Sequence, residues 1–439
     1  MIKTVKFGGT SLADAQMIRR CADIVLADDS RRYVIVSAPG KRSGNDEKVT
    51  DLLYALYAEN ELHHDTEPVL NRILARFADI VADLRVDFDL DAEFDVIRDN
   101  LKKGASRDYF ASRGEYLNAK IFAAFIGRPF IDAANLIRFH DNRLLNEHVT
   151  YRDTAEMLDE IPYAVIPGFY GCDQRGNITT FTRGGSDVTG AIIARAIGAD
   201  LYENWTDVDG IMSADPRIID NPKKIDVISY RELRELSYMG ASVLHEDAVL
   251  PVRKVGIPIQ LRNTMNPEAA GTMIVSRTPA GTVKHAVTGI AGKKGFSNLQ
   301  VESVMMNSRI GYGAKILQIL ADNGVSYEHT PTSIDMINVI AETAYLEKNR
   351  NNVVMEIDRQ LHPDRVFIED GIALTAVVGE GISGNVGVAA RVLQCIAEAG
   401  ISIRMVDAGF SELNILIGVS ENDYERTLQA LYKGLLAYI

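Results

Sequence analysis

Three short stretches hold the residue types needed to handle a phosphate and a carboxylate. Lys6-Phe7-Gly8-Gly9-Thr10-Ser11 sets a lysine and two glycines at the end of a strand-like run, Ile2–Phe7. Paired glycines let backbone N–H groups approach phosphate oxygens, a following helix adds the positive end of its dipole, and Lys6 adds a point charge. Thr182-Arg183-Gly184-Gly185-Ser186-Asp187 repeats the arrangement ahead of a second predicted helix. There Ser186 suits the N-cap, Arg183 can grip a carboxylate through two parallel hydrogen bonds, and Asp187 can pair with Lys6. Trp205-Thr206-Asp207-Val208-Asp209-Gly210-Ile211 continues to Asp215-Pro216-Arg217 and turns at Asp-Gly, as a nucleotide-contacting loop would. Each stretch alone also fits an ordinary turn, but two Gly-Gly helix starts in one α/β region favour a phosphate site.

Other apparent motifs fail on spacing. An EF-hand after Asp207 would need glycine at Met212 and an acid at Ile218. Gly379 to Gly384 fits a dinucleotide fingerprint, but too little chain follows it for a dinucleotide domain. His245-Glu246 opens like a zinc-protease motif, but Val249 stands where the second histidine belongs. No histidine or cysteine cluster has metal-ligand spacing, so no protein-held metal is expected.

The elements that must position these residues alternate. Strand-like runs occur at Tyr33–Val36, Ala164–Pro167, Ile178–Phe181 and Leu201–Trp205, and residues 50 to 126 read as mostly helical. A helix from Val188 to Ile197 stops at Gly198, and Ser11 to Asp14 reads as a capping box for the first helix. Strand, helix, strand at this spacing predicts a mostly parallel sheet with helices on both faces. Farther on, the segment from Ala314 to Ser326 is matched 76 residues later by Ala390 to Ser402, and the match continues through Ile337–Ile340 against Leu413–Leu416. Each copy reads strand, glycine turn, amphipathic helix, glycine stop, strand, turn, strand, so the chain divides near residue 285 into a large α/β domain and two small α+β repeats.

Composition narrows the classes. The 439 residues carry 47 Lys and Arg against 60 Asp and Glu, a net charge of −13, which argues against a nucleic-acid partner. No apolar window is long enough to span a membrane. Three scattered cysteines, Cys21, Cys172 and Cys395, fit a reducing compartment, and the expectation is a cytoplasmic protein.

The Lys6–Ser11 and Arg183–Asp187 motifs, Thr206-Asp207 and the tandem C-terminal repeat, in that order, resemble the aspartate kinases of the amino-acid kinase family. The resemblance covers essentially the whole chain and implies the monofunctional form. It implies an α/β/α sandwich over 1–285, then two ferredoxin-like ACT domains over 286–363 and 364–439. It also implies transfer of the ATP γ-phosphate to the β-carboxylate of L-aspartate, with Mg²⁺ bridging the phosphates. Lys6 and Asp187 then become catalytic. Ser37, Thr50, Glu115, Phe169, Arg183 and Ser186 meet the substrate, with Glu115 accepting from its ammonium. Lys6, Gly8, Gly9, Thr206, Asp207 and Arg217 meet the nucleotide. In the first repeat, Met305, Asn307, Ser308, Tyr312, Gly313, Ser326, Glu328, Ser333 and Asp335 match an effector site for an amino acid, lysine with threonine as second candidate. The ACT domains would join subunits into a homodimer or higher homo-oligomer. The chain departs from the family in the segment Pro39 to Thr50, at Ser242, where many members have lysine, and at Met212, where many have tyrosine. Two alternatives stay open: a kinase of the glutamate or acetylglutamate type, and an amino-acid sensor without catalysis.

Overall fold

The computed structural model describes all residues except 183, 242, 243, 245, 278–284, 409–412 and 439, and describes 246 and 247 by backbone alone. Its strands are β1 (Lys3–Phe7), β2 (Arg31–Val36), β3 (Ala164–Pro167), β4 (Tyr170–Cys172), β5 (Ile178–Thr180), β6 (Leu201–Thr206), β7 (Val227–Ser229), β8 (Ile259–Asn263), β9 (Thr272–Val275), β10 (Gly289–Glu302), β11 (Met336–Glu342), β12 (Arg365–Val378), β13 (Ile403–Asp407) and β14 (Asn414–Ser420). Its helices are α1 (Ala15–Leu26), α2 (Val49–Glu61), α3 (Glu67–Leu84), α4 (Leu90–Lys102), α5 (Arg107–Ile126), α6 (Glu147–Asp159), α7 (Gly185–Ala196), α8 (Tyr230–Tyr238), α9 (Glu246–Arg253), α10 (Tyr312–Asp322), α11 (Thr343–Leu361), α12 (Val388–Glu398) and α13 (Tyr424–Leu435).

Seven strands form one sheet in the order β3-β2-β1-β6-β8-β9-β7, parallel from β3 through β8. Strand β9 runs antiparallel to β8 and parallel to β7. From β1 the chain adds β2 and β3 on one side, and β6 returns on the other. The order therefore reverses between β1 and β6, where open α/β sheets bind ligands beyond the strands' carboxyl ends. Successive side chains of a strand point to opposite faces. Phe7 lies 6.3 Å from Phe122 of α5 and 6.1 Å from Trp205, while its neighbour Lys6 turns to the face covered by α7. Helices on both faces explain why Val34–Val36 and Val165–Ile166 are continuous buried apolar runs.

Two helix starts differ from the sequence expectation. The first chain turn after β1 is a short 3₁₀ segment, Thr10–Leu12, so α1 begins only at Ala15 and Asp14 is its N-cap, accepting from the Met17 N–H at 2.9 Å. Ser11 instead sets its hydroxyl 2.8 Å from that of Thr264. Likewise, α7 is capped by Gly184 in the left-handed region, φ 56°, with no side-chain cap, and Ser186 lies inside the first turn.

The chain separates into two compact units, one of residues 1–211, 224–231 and 243–278, the other of 212–223, 232–242 and 279–439. The second unit contains an antiparallel sheet, β11-β10-β12-β14-β13. Two cores lie on it. Leu299 and Val301 of β10 pack with α10, α11 and β11, whereas Val287, Ile290 and the Ala373–Val377 part of β12 pack with α12, α13 and β14. The 14-residue strand β10 thus serves both repeats, its early part in the core of the later repeat. The copies also differ. Where the later one has β13, the earlier has only isolated bridges, His329 to Ile340 and Thr332 to Ile337, with Pro331, which lacks an N–H, between them. Among the described residues no helix is long and apolar enough to cross a membrane.

Candidate active site

Lys6 is next to last in β1 and its ammonium is 2.5 Å from Asp187 Oδ1, at the head of α7. Both side chains are largely buried, and an ammonium and carboxylate in that setting hold one another in place. The glycine turn lies directly above: a Cβ added to Gly8 would stand 3.6 Å from Lys6 Nζ. Gly9 is pressed against the turn after β2, since Gly40 N–H donates to Gly9 O at 2.8 Å and a Cβ on Gly40 would fall 2.6 Å from Gly9 C. Only glycine permits that backbone-on-backbone approach. Arg76 of α3, buried, secures the arrangement by donating to Ala13 O at 3.0 Å, to Gly40 O at 2.5 Å and to Asp46 Oδ2 at 2.5 Å.

On the adjoining side, Ser37 donates to Phe7 O at 2.8 Å and accepts at its carbonyl from Asn118 Nδ2 at 2.7 Å. This ties the end of β1 to α5 and brings Glu115 beside Ala38. Glu115 is buried, and its Oε2 has no hydrogen-bond partner among the described residues. Burial pushes its carboxyl up to about 8, against the opposing pull of the Ala38 N–H. A buried carboxyl with an orphaned oxygen suits a cationic group arriving from outside. Gly114, where a Cβ would sit 2.8 Å from that of Ala38, lets Val49 and Leu53 of α2 close over the same spot, and Thr50 is half-buried in that helix's first turn.

Phe169 is held at φ 80°, a conformation disfavoured for a non-glycine residue. Its N–H donates to Thr189 Oγ1 at 3.1 Å and its carbonyl accepts from Phe181 N–H at 2.9 Å. Gly168 and Gly185 have no room for side chains, the first because of Ser186 Oγ at 2.5 Å, the second because of the Phe169 ring at 2.5 Å. Phe169 and Ser186 are thereby brought together at the head of α7. Beyond β6, Thr206 donates to Asp207 Oδ1 at 3.2 Å and accepts at its carbonyl from Thr264 N–H at 2.8 Å. Arg183 and Ser242 lie outside the described residues. Arg217 belongs to the second compact unit, where it is exposed and paired with Asp215 at 2.7 Å.

Sequence reasoning missed two neighbours of Asp187. Asn204 Nδ2 donates to Asp187 Oδ1 at 2.7 Å, and Tyr202 O–H donates to the Asp187 carbonyl at 3.0 Å. Their position in the strand before Thr206-Asp207, two residues apart and polar in a buried run, is the available signal.

In the second unit, Asp335 joins two parts of the expected effector set. Its carboxylate accepts from Met305 N–H and its carbonyl from Ser303 N–H, both at 2.8 Å, while Asn307 N–H donates to Ile334 O at 3.2 Å. Ser308, Ser326 and Ser333 are exposed, Tyr312 is buried at the start of α10, and Gly313 follows it. Glu328 accepts from the Tyr238 hydroxyl, and burial followed by the nearby Glu342 charge raises its carboxyl.

A strand-order reversal, a lysine beneath paired glycines and an acid at a helix head together suit a phosphate-bearing ligand. Residues 1–263 match the amino acid kinase family and residues 376–435 the ACT domain. Aspartokinase 3 of Bacillus subtilis is 37% identical over 455 residues, 99% of each chain. The structure of Clostridium acetobutylicum aspartate kinase, described as an allosteric enzyme, superposes with a TM-score of 0.92 at 43% identity over 99% of each chain. Two structures of E. coli aspartokinase III match 99% of this chain: one with aspartate and ADP (TM-score 0.75, 27% identity, 100% of that chain), one with lysine and aspartate (0.73, 28%, 99%). The chain belongs to the amino acid kinase family and, within it, to the aspartokinases. It is an ATP-dependent kinase carrying ACT-type regulatory structure.

Proposed function

We propose that this chain transfers the γ-phosphoryl group of ATP to the β-carboxylate of L-aspartate, releasing ADP and 4-phospho-L-aspartate. One β-carboxylate oxygen bonds to phosphorus as the bond to the ADP oxygen breaks. No general base is required, because that carboxylate is ionised at neutral pH. The observation that carries the reading is the Lys6–Asp187 pair, 2.5 Å apart beneath Gly8 and Gly9 at the β1/β6 reversal. Phosphoryl transfer depends on positioning and on charge stabilisation. Lys6 supplies the charge and the Gly8-Gly9 turn the positioning, the Gly8 N–H itself donating to Trp205 O at 3.1 Å. The orphaned Glu115 oxygen takes the aspartate ammonium, Arg183 its α-carboxylate, and Ser37, Thr50, Phe169 and Ser186 are its further contacts. Thr206 and Asp207 serve the nucleotide.

The close packing of Gly9 on Gly40 holds the glycine turn rigidly over the Lys6 ammonium, a setting that suits the nucleotide's phosphates. Mg²⁺ would accompany the phosphates and offset their charge. Along the chain the kinase domain runs 1–285 and the repeats 286–363 and 364–439, with 212–223 and 232–242 joining the compact unit of the repeats, and the enzyme works in the cytoplasm. Lysine, with threonine as second candidate, binds the first repeat near Asp335, and the ACT domains pair two subunits. Support for lysine comes from the lysine complex of E. coli aspartokinase III.

Purified protein with ATP, Mg²⁺ and hydroxylamine should form a hydroxamate with aspartate, and none with glutamate or N-acetylglutamate. A hydroxamate with either of those alone assigns a different kinase, and none with any substrate leaves only the sensor.

A further inference from the structure

We propose that Asn204 is a positioning residue for phosphoryl transfer, its side-chain amide fixing the Asp187 carboxylate that in turn holds Lys6. This rests on the reading of Lys6 and Asp187 given above. Lys6 and Asn204 are register partners on the parallel pair β1 and β6, so their side chains leave the same face of the sheet. Both aim at one atom: Asp187 Oδ1 lies 2.5 Å from Lys6 Nζ and 2.7 Å from Asn204 Nδ2. Asn204 is 2% exposed, and Tyr202, on the same face two residues earlier, is fully buried. The Tyr202 hydroxyl donates to the Asp187 carbonyl at 3.0 Å. Gly190 of α7 makes room for it, since a Cβ there would stand 2.5 Å from that hydroxyl. The first turn of α7 is thus anchored to β6 at both its carbonyl and its carboxylate, without help from Lys6.

That independence has a chemical use. When phosphates arrive, they and Asp187 share the lysine ammonium, and Asp187 must stay in place while the charge is shared. An amide donor holds the carboxylate and brings no charge of its own. A carboxylate at the same place would compete for Lys6, and two acids about 3 Å apart drive one of their pKa values up. Among the described residues, the ionisable groups facing this point are Lys6 from β1, Asp187 from α7 and Tyr202 from β6.

Steady-state turnover of Asn204→Leu, Asn204→Asp and Asp187→Asn tests the proposal. In Asn204→Leu, kcat should fall about tenfold or more, the usual worth of a hydrogen bond to a charged group. Its KM for aspartate should stay within about twofold of wild type. In Asn204→Asp, the introduced carboxyl can donate only while protonated, so activity relative to wild type should decline steadily from about pH 6 to about pH 9. This second readout stands even if the leucine variant fails to fold. Wild-type kcat in Asn204→Leu, or a deficit in Asn204→Asp that is the same at every pH, overturns the proposal. Asp187→Asn separates the two claims. If it loses turnover while Asn204→Leu does not, only the role of Asn204 fails. If it keeps full turnover, the underlying reading of the site fails.

Discussion

At the residue scale the most telling group is Glu115, whose carboxyl is raised to about 8 by burial. Between the ordinary carboxylate range and that value the folded protein keeps a proton that the unfolded chain has lost, so ionisation of this group costs stability as pH rises through the interval. In the free enzyme below about pH 8 the group is neutral, yet an ammonium needs it charged. Aspartate binding must therefore expel the proton, and affinity should rise by up to about tenfold per pH unit from pH 6 toward 8. Titration calorimetry in buffers of differing ionisation enthalpy checks this through the proton released on binding. A pH-independent affinity with no proton release would remove Glu115 from the ammonium site. Lys6 and Asp187 are legible in the sequence because Gly-Gly steps flag both turns. Asn204 is not, because an asparagine inside a strand does not reveal its partner until the register with β1 and the seat of α7 are known.

At the scale of elements, the glycine turns work by contact with one another. Gly40→Ala places a methyl 2.6 Å from the Gly9 backbone, so the loop that would cradle phosphates has to move. A displacement of this order should lower kcat/KM for ATP by roughly a hundredfold, with KM for aspartate little changed. Equal losses toward both substrates would show that the loop is not specific to the nucleotide. Arg76→Ala, which removes a buried cation from Asp46 and from two carbonyls, should cost about 3 kcal/mol in urea unfolding. A change below about 1 kcal/mol would count against this clamp. The strands β1, β2, β3, β5 and β6 are readable as apolar runs, whereas the short strands β4, β7, β8 and β9 are not, and neither is the cap of α1. Ser11 and Asp14 have the spacing of a capping box, but the intervening 3₁₀ turn uses Ser11 elsewhere and leaves Asp14 to cap alone.

At the scale of the whole molecule, the repeat exposes two copies of one α+β unit, but similarity along the chain does not show which strand belongs to which core. Val287 and Ile290 open the first repeat along the chain, yet they pack in the core of the second. Residues 212–223 and 232–242 belong to the compact unit that contains both copies. Within it, Ile290 N–H donates to Ser213 O at 2.7 Å, Lys223 N–H to Tyr432 Oη at 2.8 Å, and Thr288 Oγ1 to Glu232 Oε1 at 2.5 Å. A fragment ending at residue 285 strips these partners away and should lose cooperative thermal unfolding, while a fragment that melts like the intact chain would contradict this. For the intact enzyme, the most direct measurement is the turnover of Lys6→Ala in the hydroxamate assay, beside its thermal unfolding. The expected result is a kcat reduced by at least about a hundredfold with the melting transition preserved. Wild-type turnover with the same transition would contradict the assignment of phosphoryl transfer to this lysine and the acid that holds it.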